Sequence, residues 1–517
     1  MVRGDRVGYP ETLLSITSTA SVLSDGLLMA ASVKSMVDVR SLPSMMMQKA
    51  ASSKDKRRLQ EVTSMLDGCL SHPSAVETMS EIGVQTVYTG TERCSLSHEA
   101  LKQFLEEEAA PQLDLDVMVE RNSEISIAGV GERAEVRGIR HSKTAAAFND
   151  NYAQYQWGMD IINMPEAWGV WEKAMIGRPE REIVVGVLDT GVEIGHEDLR
   201  HEVFSDEVCN HGLSPDELID DVNGHGTHCA GILGAQSNNS KGIAGVSRAK
   251  IMSIRVLDER GWGVLSDMLT GINYAITKNV DILSNSYTSP MRSEIVKSAI
   301  GRAGERGMLF VCAAGNEGVD ISVNKVYPCA YTQELDNVMC VGSTDKDIPY
   351  MLAVHSNYAP YLDIAAPGVE IISTYPDNTY RYLTGTSMAT PHVTGVAALL
   401  MSLGVSAKDA KTAMKTTAVD INNAIFVPVV KYGRLNALEA VKAAVTMPTV
   451  PVKPARSVGG DHCTPQLPTA PPTRQPGPSS AATTTTTASI FSVSAAAVSL
   501  IIMMMLNLSF HIGGSIL

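Results

Sequence analysis

The sequence predicts an α/β protein built on a mainly parallel sheet with helices on both faces. Two observations carry this. Ile183 to Leu188 is an unbroken apolar run, the mark of a strand buried on both sides. Further runs of the same kind, Lys250–Leu257, Val280–Leu283, Met308–Ala313 and Val338–Val341, alternate with stretches of helical spacing. Those stretches are Thr227–Ala235, Ser266–Lys278 and Glu294–Glu305. A strand–helix–strand alternation closes most simply into parallel strands joined by crossover helices. Ligand and catalytic groups in such folds collect at the carboxyl ends of the strands.

The chain has 517 residues, more than one ordinary domain. Its hydrophobic content of 44% and charged content of 19% are those of a globular protein. A net charge of −14 and a pI near 5.4 exclude the basic face of a nucleic-acid binder. Its one strong basic run, Lys54 to Arg58, reads as a solvated helix face, and a processing enzyme could also cut there.

The chain divides by composition. Residues 1–50 are rich in Ser, Met and Ala without periodicity and read as a leader, either a signal segment or disordered. Residues 51–140 read as a small α+β unit. Thr86 to Tyr88 ends a strand, Ser97 to Glu108 is a helix with Glu99 closing a capping box, and Leu113–Val119 alternates as a strand, as Ile125 and Ile127 do. The polar, basic stretch from Arg133 to Lys143 suits a proteolytic cut. Residues 149–446 form the α/β body. Residues 447–487 are a Pro- and Thr-rich stalk, whose Thr run, Thr483–Thr487, is expected to carry O-linked sugars in a secreted protein. Residues 488–510 are apolar and uncharged, long enough to cross a bilayer. Small residues at Ser479–Ala481, a polar spacer and an apolar tail equally describe a lipid-anchor signal. Either reading places the body outside the cytosol.

The eight cysteines show no metal-binding spacing. Cys329 and Cys340 bracket a loop and could pair, whereas Cys229 and Cys312 sit in apolar runs as small hydrophobes.

Three polar residues stand at element ends. Asp189 closes the first buried strand, within Asp189-Thr190-Gly191. His225 lies between glycines in Asn223-Gly224-His225-Gly226-Thr227-His228 and opens a helix. Ser387 lies in Gly385-Thr386-Ser387-Met388-Ala389-Thr390-Pro391-His392, expected as the cap of a helix with Pro391 in its first turn. Each alone is ordinary: a turn aspartate, a structural histidine, a capping serine. Together they make the set for nucleophilic acyl transfer, in the order Asp, His, Ser. Ala389 breaks the Gly-x-Ser-x-Gly elbow of the α/β-hydrolases, which also use another order.

On these three motifs the region from Asn149 to Val445 resembles the subtilisin-like serine proteases. The resemblance implies a three-layer α/β fold with a mainly parallel seven-stranded sheet, preceded by a small α+β pro-domain. It implies peptide-bond hydrolysis with Ser387 as nucleophile, His225 as base and Asp189 as its orienting partner. Ala313-Ala314-Gly315-Asn316 resembles the family's oxyanion motif, with Asn316 as side-chain donor and Ala313 and Gly315 beside substrate. Ser286, Tyr287 and Thr288 stand where the family pairs with extended substrate, but Thr288 and Ser289 replace the usual glycines. Glu317 would favour a basic residue at the cut by its charge, although a surface glutamate is the commoner outcome. Asp198, Asn239 and Asp150 resemble positions that hold structural Ca²⁺, and their oxygens suit that ion. Asn238-Asn239-Ser240 is also a glycosylation sequon that competes with a tight calcium loop. The upstream unit resembles an inhibitory pro-segment removed by a cut between Arg137 and Asn149. The expected partners are protein or peptide substrates, the pro-segment and a membrane, with no nucleic acid. A disfigured cleft would instead leave a binding protein without turnover, and an esterase is the rival chemistry.

Overall fold

The structure, a computed structural model, describes residues 12–21, 32–36, 42, 45, 76–82, 84–87, 98–109, 115–127, 131–133, 143–178, 181–199, 209–210, 221–348, 350–422 and 429–451. The chain forms two compact units, Met1–Pro468 and Thr469–Leu517, and every described residue belongs to the first. The basic run Lys54–Arg58, nearly all of the stalk and the whole apolar segment 488–510 lie outside the described residues. No helix among the described residues is long and apolar enough to cross a membrane.

The N-terminal part contains strands β1 (Thr12–Ser21), β2 (Ser32–Met36), β3 (Val76–Met79), β4 (Val84–Val87) and β5 (Leu115–Arg121). Helix α1 (His98–Gln103) runs on as a π-type stretch, Phe104–Ala109. The five strands form one antiparallel sheet, with β1 flanked by β5 on one side and by β4 and β2 on the other. Residues 12–21 and 32–36, read from composition as leader, are thus strands of the same sheet as residues 76–121. The Glu99 carboxylate pairs with Arg121 of β5, and Ser97, the expected cap, lies outside the described residues.

Three short elements follow: β6 (Glu124–Ser126), β7 (Gly131–Arg133) and α2 (Lys143–Ala147). Then come α3 (Trp157–Ile161), α4 (Met164–Met175), β8 (Val184–Asp189), β9 (Cys209–Asn210) and α5 (His225–Gly234). Next are β10 (Lys250–Arg255), β11 (Trp262–Val264), α6 (Leu265–Thr277), β12 (Ile282–Asn285), α7 (Glu294–Glu305), β13 (Leu309–Ala313) and β14 (Val338–Thr344). The body closes with β15 (Ile364–Pro367), β16 (Ile371–Tyr375), β17 (Thr379–Thr384), α8 (Thr386–Ser402), α9 (Ala407–Thr416) and α10 (Ala437–Val445).

Seven strands make the central sheet in the order β15-β14-β13-β12-β8-β10-β9, all parallel. The unbroken apolar runs are explained by two-sided burial. Val185 and Val187 face one core with the helices α4, α5, α8 and α10, while Val184 and Leu188 face a second core with α6 and α7. In β13, Leu309 and Val311 face the first core and Phe310 and Cys312 the second. Successive side chains on a strand point to opposite faces, so each face needs its own apolar set. Chain order reverses between β8 and β12, the first strand lying mid-sheet, and a crevice forms there at the carboxyl ends.

Cys329 and Cys340 form a disulfide, while Cys229 and Cys312 are free and buried.

The N-terminal sheet is fastened to the body through helix ends. The Glu120 carboxylate accepts hydrogen bonds from Ser293 and from the Glu294 N–H at the start of α7. Asn122 exchanges two hydrogen bonds with Ser266, and the Ser123 carbonyl accepts from the Leu265 N–H, at the start of α6. The first N–H groups of a helix lack intrahelical acceptors, so an incoming chain that supplies oxygens there is favoured.

Candidate active site

Asp189 ends β8 at the crevice, with its carboxylate buried. One oxygen accepts from the Thr190 N–H at 2.8 Å and from His225 Nδ1 at 2.7 Å. Those donors are what lets a carboxylate sit charged at the end of a buried strand. His225 is the first residue of α5, and the glycines around it are required by contact. A Cβ on Gly226 would stand 2.0 Å from the Gly191 carbonyl oxygen, and one on Gly224 (φ +92°) would stand 2.4 Å from the Tyr375 ring. The helix start can press against the Asp189 turn only without those carbons.

Asp221, which the sequence reading passed over, holds this junction. Its carboxylate accepts from Gly224 N, Thr227 N, the Thr227 hydroxyl and the Thr190 hydroxyl, at 2.8–2.9 Å. Thr190 in turn accepts from Gly226 N at 3.0 Å. One buried aspartate therefore ties the turn after β8 to the first turn of α5. The available signal was Asp221-Val222-Asn223-Gly224, an Asx-type lead into a helix.

Burial disfavours the charged form of His225. The charge and hydrogen bond of Asp189, with the charge of Asp221, outweigh it and hold His225 above the ordinary histidine value. His225 Nε2 is buried and has no hydrogen-bond partner among the described residues.

Ser387 departs from expectation in two ways. It is the second residue of α8, after Gly385 as cap, so it does not cap the helix, and Pro391 lies inside the helix. Proline has no N–H to return to the carbonyl four residues earlier, which is that of Ser387. That carbonyl is taken instead by the Ser286 hydroxyl at 3.1 Å and the Cys229 thiol at 3.5 Å. The second departure concerns the Ser387 hydroxyl. It donates to the Ser286 carbonyl at 3.1 Å, not to His225.

Asn316 follows β13 with Gly315, whose φ is +98°. Its Oδ1 accepts from Thr386 N at 2.7 Å and from the Thr386 hydroxyl at 2.9 Å. That anchors the amide with its NH₂ toward Gly385, where a Cβ would come within 2.9 Å of Nδ2. Gly315 N donates to the Thr386 hydroxyl at 3.1 Å, so the end of β13 and the start of α8 are stitched together.

Of the expected substrate contacts, Ser286 touches Ser387 as described, and Thr288 forms an antiparallel bridge with Ser126. Ala313 is buried at the end of β13. The Tyr287 side chain is wholly buried and its hydroxyl donates to Asn285. The Glu317 carboxylate accepts from Asn357 Nδ2 at 2.6 Å.

Asp150, Asp198 and Asn239 do come together. Asp150 accepts from Asn238 N and Asn239 N at 2.9 and 3.0 Å, and Asn239 Nδ2 donates to Asp198 at 2.7 Å. Asp198 is pushed up to about 7, chiefly by burial, with the Asp150 charge adding to it. The other Asp198 oxygen accepts from Ile243 N at 2.9 Å and Asn239 Oδ1 accepts from Lys241 N at 2.8 Å, so N–H donors answer these oxygens here, and the two neighbouring carboxylates are what a hard cation would take as ligands.

The Subtilase family profile matches residues 180–443. The chain is 38% identical to thermitase of Thermoactinomyces vulgaris, over 57% of this chain and 99% of that one. It is also 38% identical to the thermophilic serine proteinase of Bacillus sp. (strain AK1), over 57% of this chain and 69% of that one. To subtilisin-like protease 1 of Plasmodium falciparum (isolate 3D7) the identity is 30%, over 50% and 42%. Sheet order, crevice and sequence matches agree: the chain belongs to the subtilase family and is a subtilisin-like serine protease.

Proposed function

We propose that this protease hydrolyses peptide bonds through Asp189, His225 and Ser387, by way of an acyl-enzyme. The observation that carries the reading is the buried Asp189–His225 contact of 2.7 Å with Nε2 left without a partner among the described residues, on a helix whose Cys229 meets the carbonyl of Ser387 in the first turn of α8. Asp189 takes the Nδ1 proton as a hydrogen bond, which leaves the lone pair on Nε2 to act as base. The Ser387 hydroxyl leaves the Ser286 carbonyl, gives its proton to Nε2 and adds to the scissile carbonyl. The oxyanion is met by the Asn316 amide and the Ser387 N–H. His225 then returns the proton to the leaving amine. Cys229 plays no part as nucleophile, because burial pushes its thiol well above the usual range.

In this reading residues 51–140 act as the inhibitory pro-segment and residues 149–446 as the catalytic domain. Their support is the capping of α6 and α7 by Asn122, Ser123 and Glu120. Asp150, Asp198 and Asn239 would hold a structural Ca²⁺, whose charge would answer the two carboxylates and brace the loop. The apolar 488–510 segment tethers the enzyme outside the cytosol, by a transmembrane helix or a lipid.

A fluorophosphonate probe should label the mature enzyme and fail on Ser387→Ala. Asn316→Ala should keep the label while losing ~10²–10³ in kcat, a figure whose reference case is itself a subtilisin. A folded, mature enzyme that never labels would leave a binding protein and end the enzyme reading.

His225 must be neutral to act, so kcat/KM rises with pH through its raised pKa. Asp221→Asn removes a negative charge that favours the imidazolium and should move that acid limb to lower pH. It should also lower kcat, by up to ~10²-fold through misplacement of the base, with KM little changed. An unmoved limb would mean that Asp221 is only structural.

A chelator should lower the melting temperature of the wild type, since a cation at 100 times its Kd adds ~2.7 kcal/mol. The same treatment should not change Asp198→Asn further. Equal melting of the wild type with and without chelator removes calcium from the account.

Full-length protein expressed in a eukaryotic secretory host should partition into detergent, and a chain ending at 451 should not. Release by a phosphatidylinositol-specific phospholipase marks a lipid anchor. Full-length protein in the aqueous phase would discard the tether.

A further inference from the structure

The loop that carries Asn316 is gripped by one side chain from a neighbouring segment. Asn357 lies between β14 and β15 and is wholly buried. Its backbone N–H and its side-chain amide make four hydrogen bonds, all to residues 314–319. Asn357 N donates to the Gly315 carbonyl at 3.0 Å. Nδ2 donates to the Ala314 carbonyl at 3.0 Å and to the Glu317 carboxylate at 2.6 Å. Oδ1 accepts from Val319 N at 3.1 Å. These bonds fall on both sides of Asn316 and use every donor that Asn357 has. The adjacent His355 carbonyl adds one more, from Gly318 N at 2.8 Å.

The gripping segment is itself fastened to the central sheet. Ser343 N, in β14, donates to the Ser356 hydroxyl at 3.0 Å, and Ala353 N donates to the Ser343 carbonyl at 2.7 Å. Asn316 is thus located twice over. Thr386 takes its Oδ1 and sets the direction of the amide. Asn357 sets where the backbone bearing that amide lies. A preorganised donor works only where the oxyanion forms, and a misplacement of about 1 Å can cost ~10² in rate. The chemistry also dictates the residue type. Two acceptors, the Ala314 carbonyl and the Glu317 carboxylate, face one atom of residue 357, so that atom must be an NH₂. An aspartate has the same outline and would turn an oxygen onto both.

We infer that Asn357 is a positioning residue for the oxyanion: it holds Asn316 where the developing charge is met, without touching substrate itself. The inference rests on the donor role proposed above for Asn316.

A double-mutant cycle on the mature enzyme tests this, with kcat taken per site titrated by fluorophosphonate. Asn357→Asp should lower kcat about tenfold or more with KM little changed, the mark of an interaction made in the transition state alone. Asn357→Ala should do the same. In an Asn316→Ala background either substitution should change kcat by less than about threefold, because the donor it positions is gone. Losses that multiply in the double variant place the effect of Asn357 elsewhere and overturn the inference. So does a lowered melting temperature with kcat per titrated site unchanged. Failure of both variants to give folded enzyme would make Asn357 a folding residue alone, which overturns it as well. An Asn316→Ala enzyme with undiminished kcat removes the donor role and this inference with it. A loss in Asn316→Ala with none in the Asn357 variants refutes the positioning and spares the donor.

Discussion

A carboxylate closed inside a protein stays charged only where donors surround it. Asp189 meets that demand on one oxygen, with one backbone N–H and one imidazole, while its other oxygen is buried without a partner among the described residues. The rest of the site is arranged to bring that imidazole there. α5 must begin against the turn after β8, which excludes side chains at Gly224 and Gly226. Asp221 must bind both the turn and the helix start, which buries a second carboxylate beside the first. Six hydrogen bonds answer the two buried carboxylates, four to Asp221 and two to Asp189, although burial still raises Asp221 above the ordinary carboxylate value. The same pair of charges sets the proton affinity of His225.

The N-terminal sheet and the body meet through unsatisfied helix ends, not a broad apolar face alone. Glu120 lies where the α7 dipole favours negative charge, and Asn122 answers the start of α6. These helix-end bonds work together with the packing of Met79, Ile82 and Val84 in the apolar cluster of α6 and α7, and the contact continues into the strand that enters the cleft. Docking of the sheet and filling of the cleft are thus properties of one continuous length of chain, Leu115 to Ile127.

The central sheet was legible because its strands are buried on both faces and so lack polar interruptions. Glu294–Glu305 begins and ends as its spacing predicts, and Ser293 accepts the capping hydrogen bond. The hairpin of β16 and β17 was not legible. Its residues are partly exposed and mixed, and its pairing with β7 joins segments some 250 residues apart, a distance at which periodicity is silent. β1 and β2 were hidden for a related reason: Ser- and Ala-rich strands lack the alternation that would announce them. In the site, Asp189 and His225 could be identified because their motifs are short and locally unusual. Asp221 acts through four hydrogen bonds to residues on two elements, and only folding brings those together.

The proline inside α8 changes how the nucleophile is held. An ordinary helix residue is positioned by its own ladder and shares the fraying and breathing of the helix end. The carbonyl of Ser387 is released from that ladder and gripped by Ser286 at the end of β12 and by Cys229 of α5. The serine is thereby referenced to the sheet and to the histidine helix, two rigid bodies that already carry the other groups. The nucleophile is thus tied directly to the helix that carries the base.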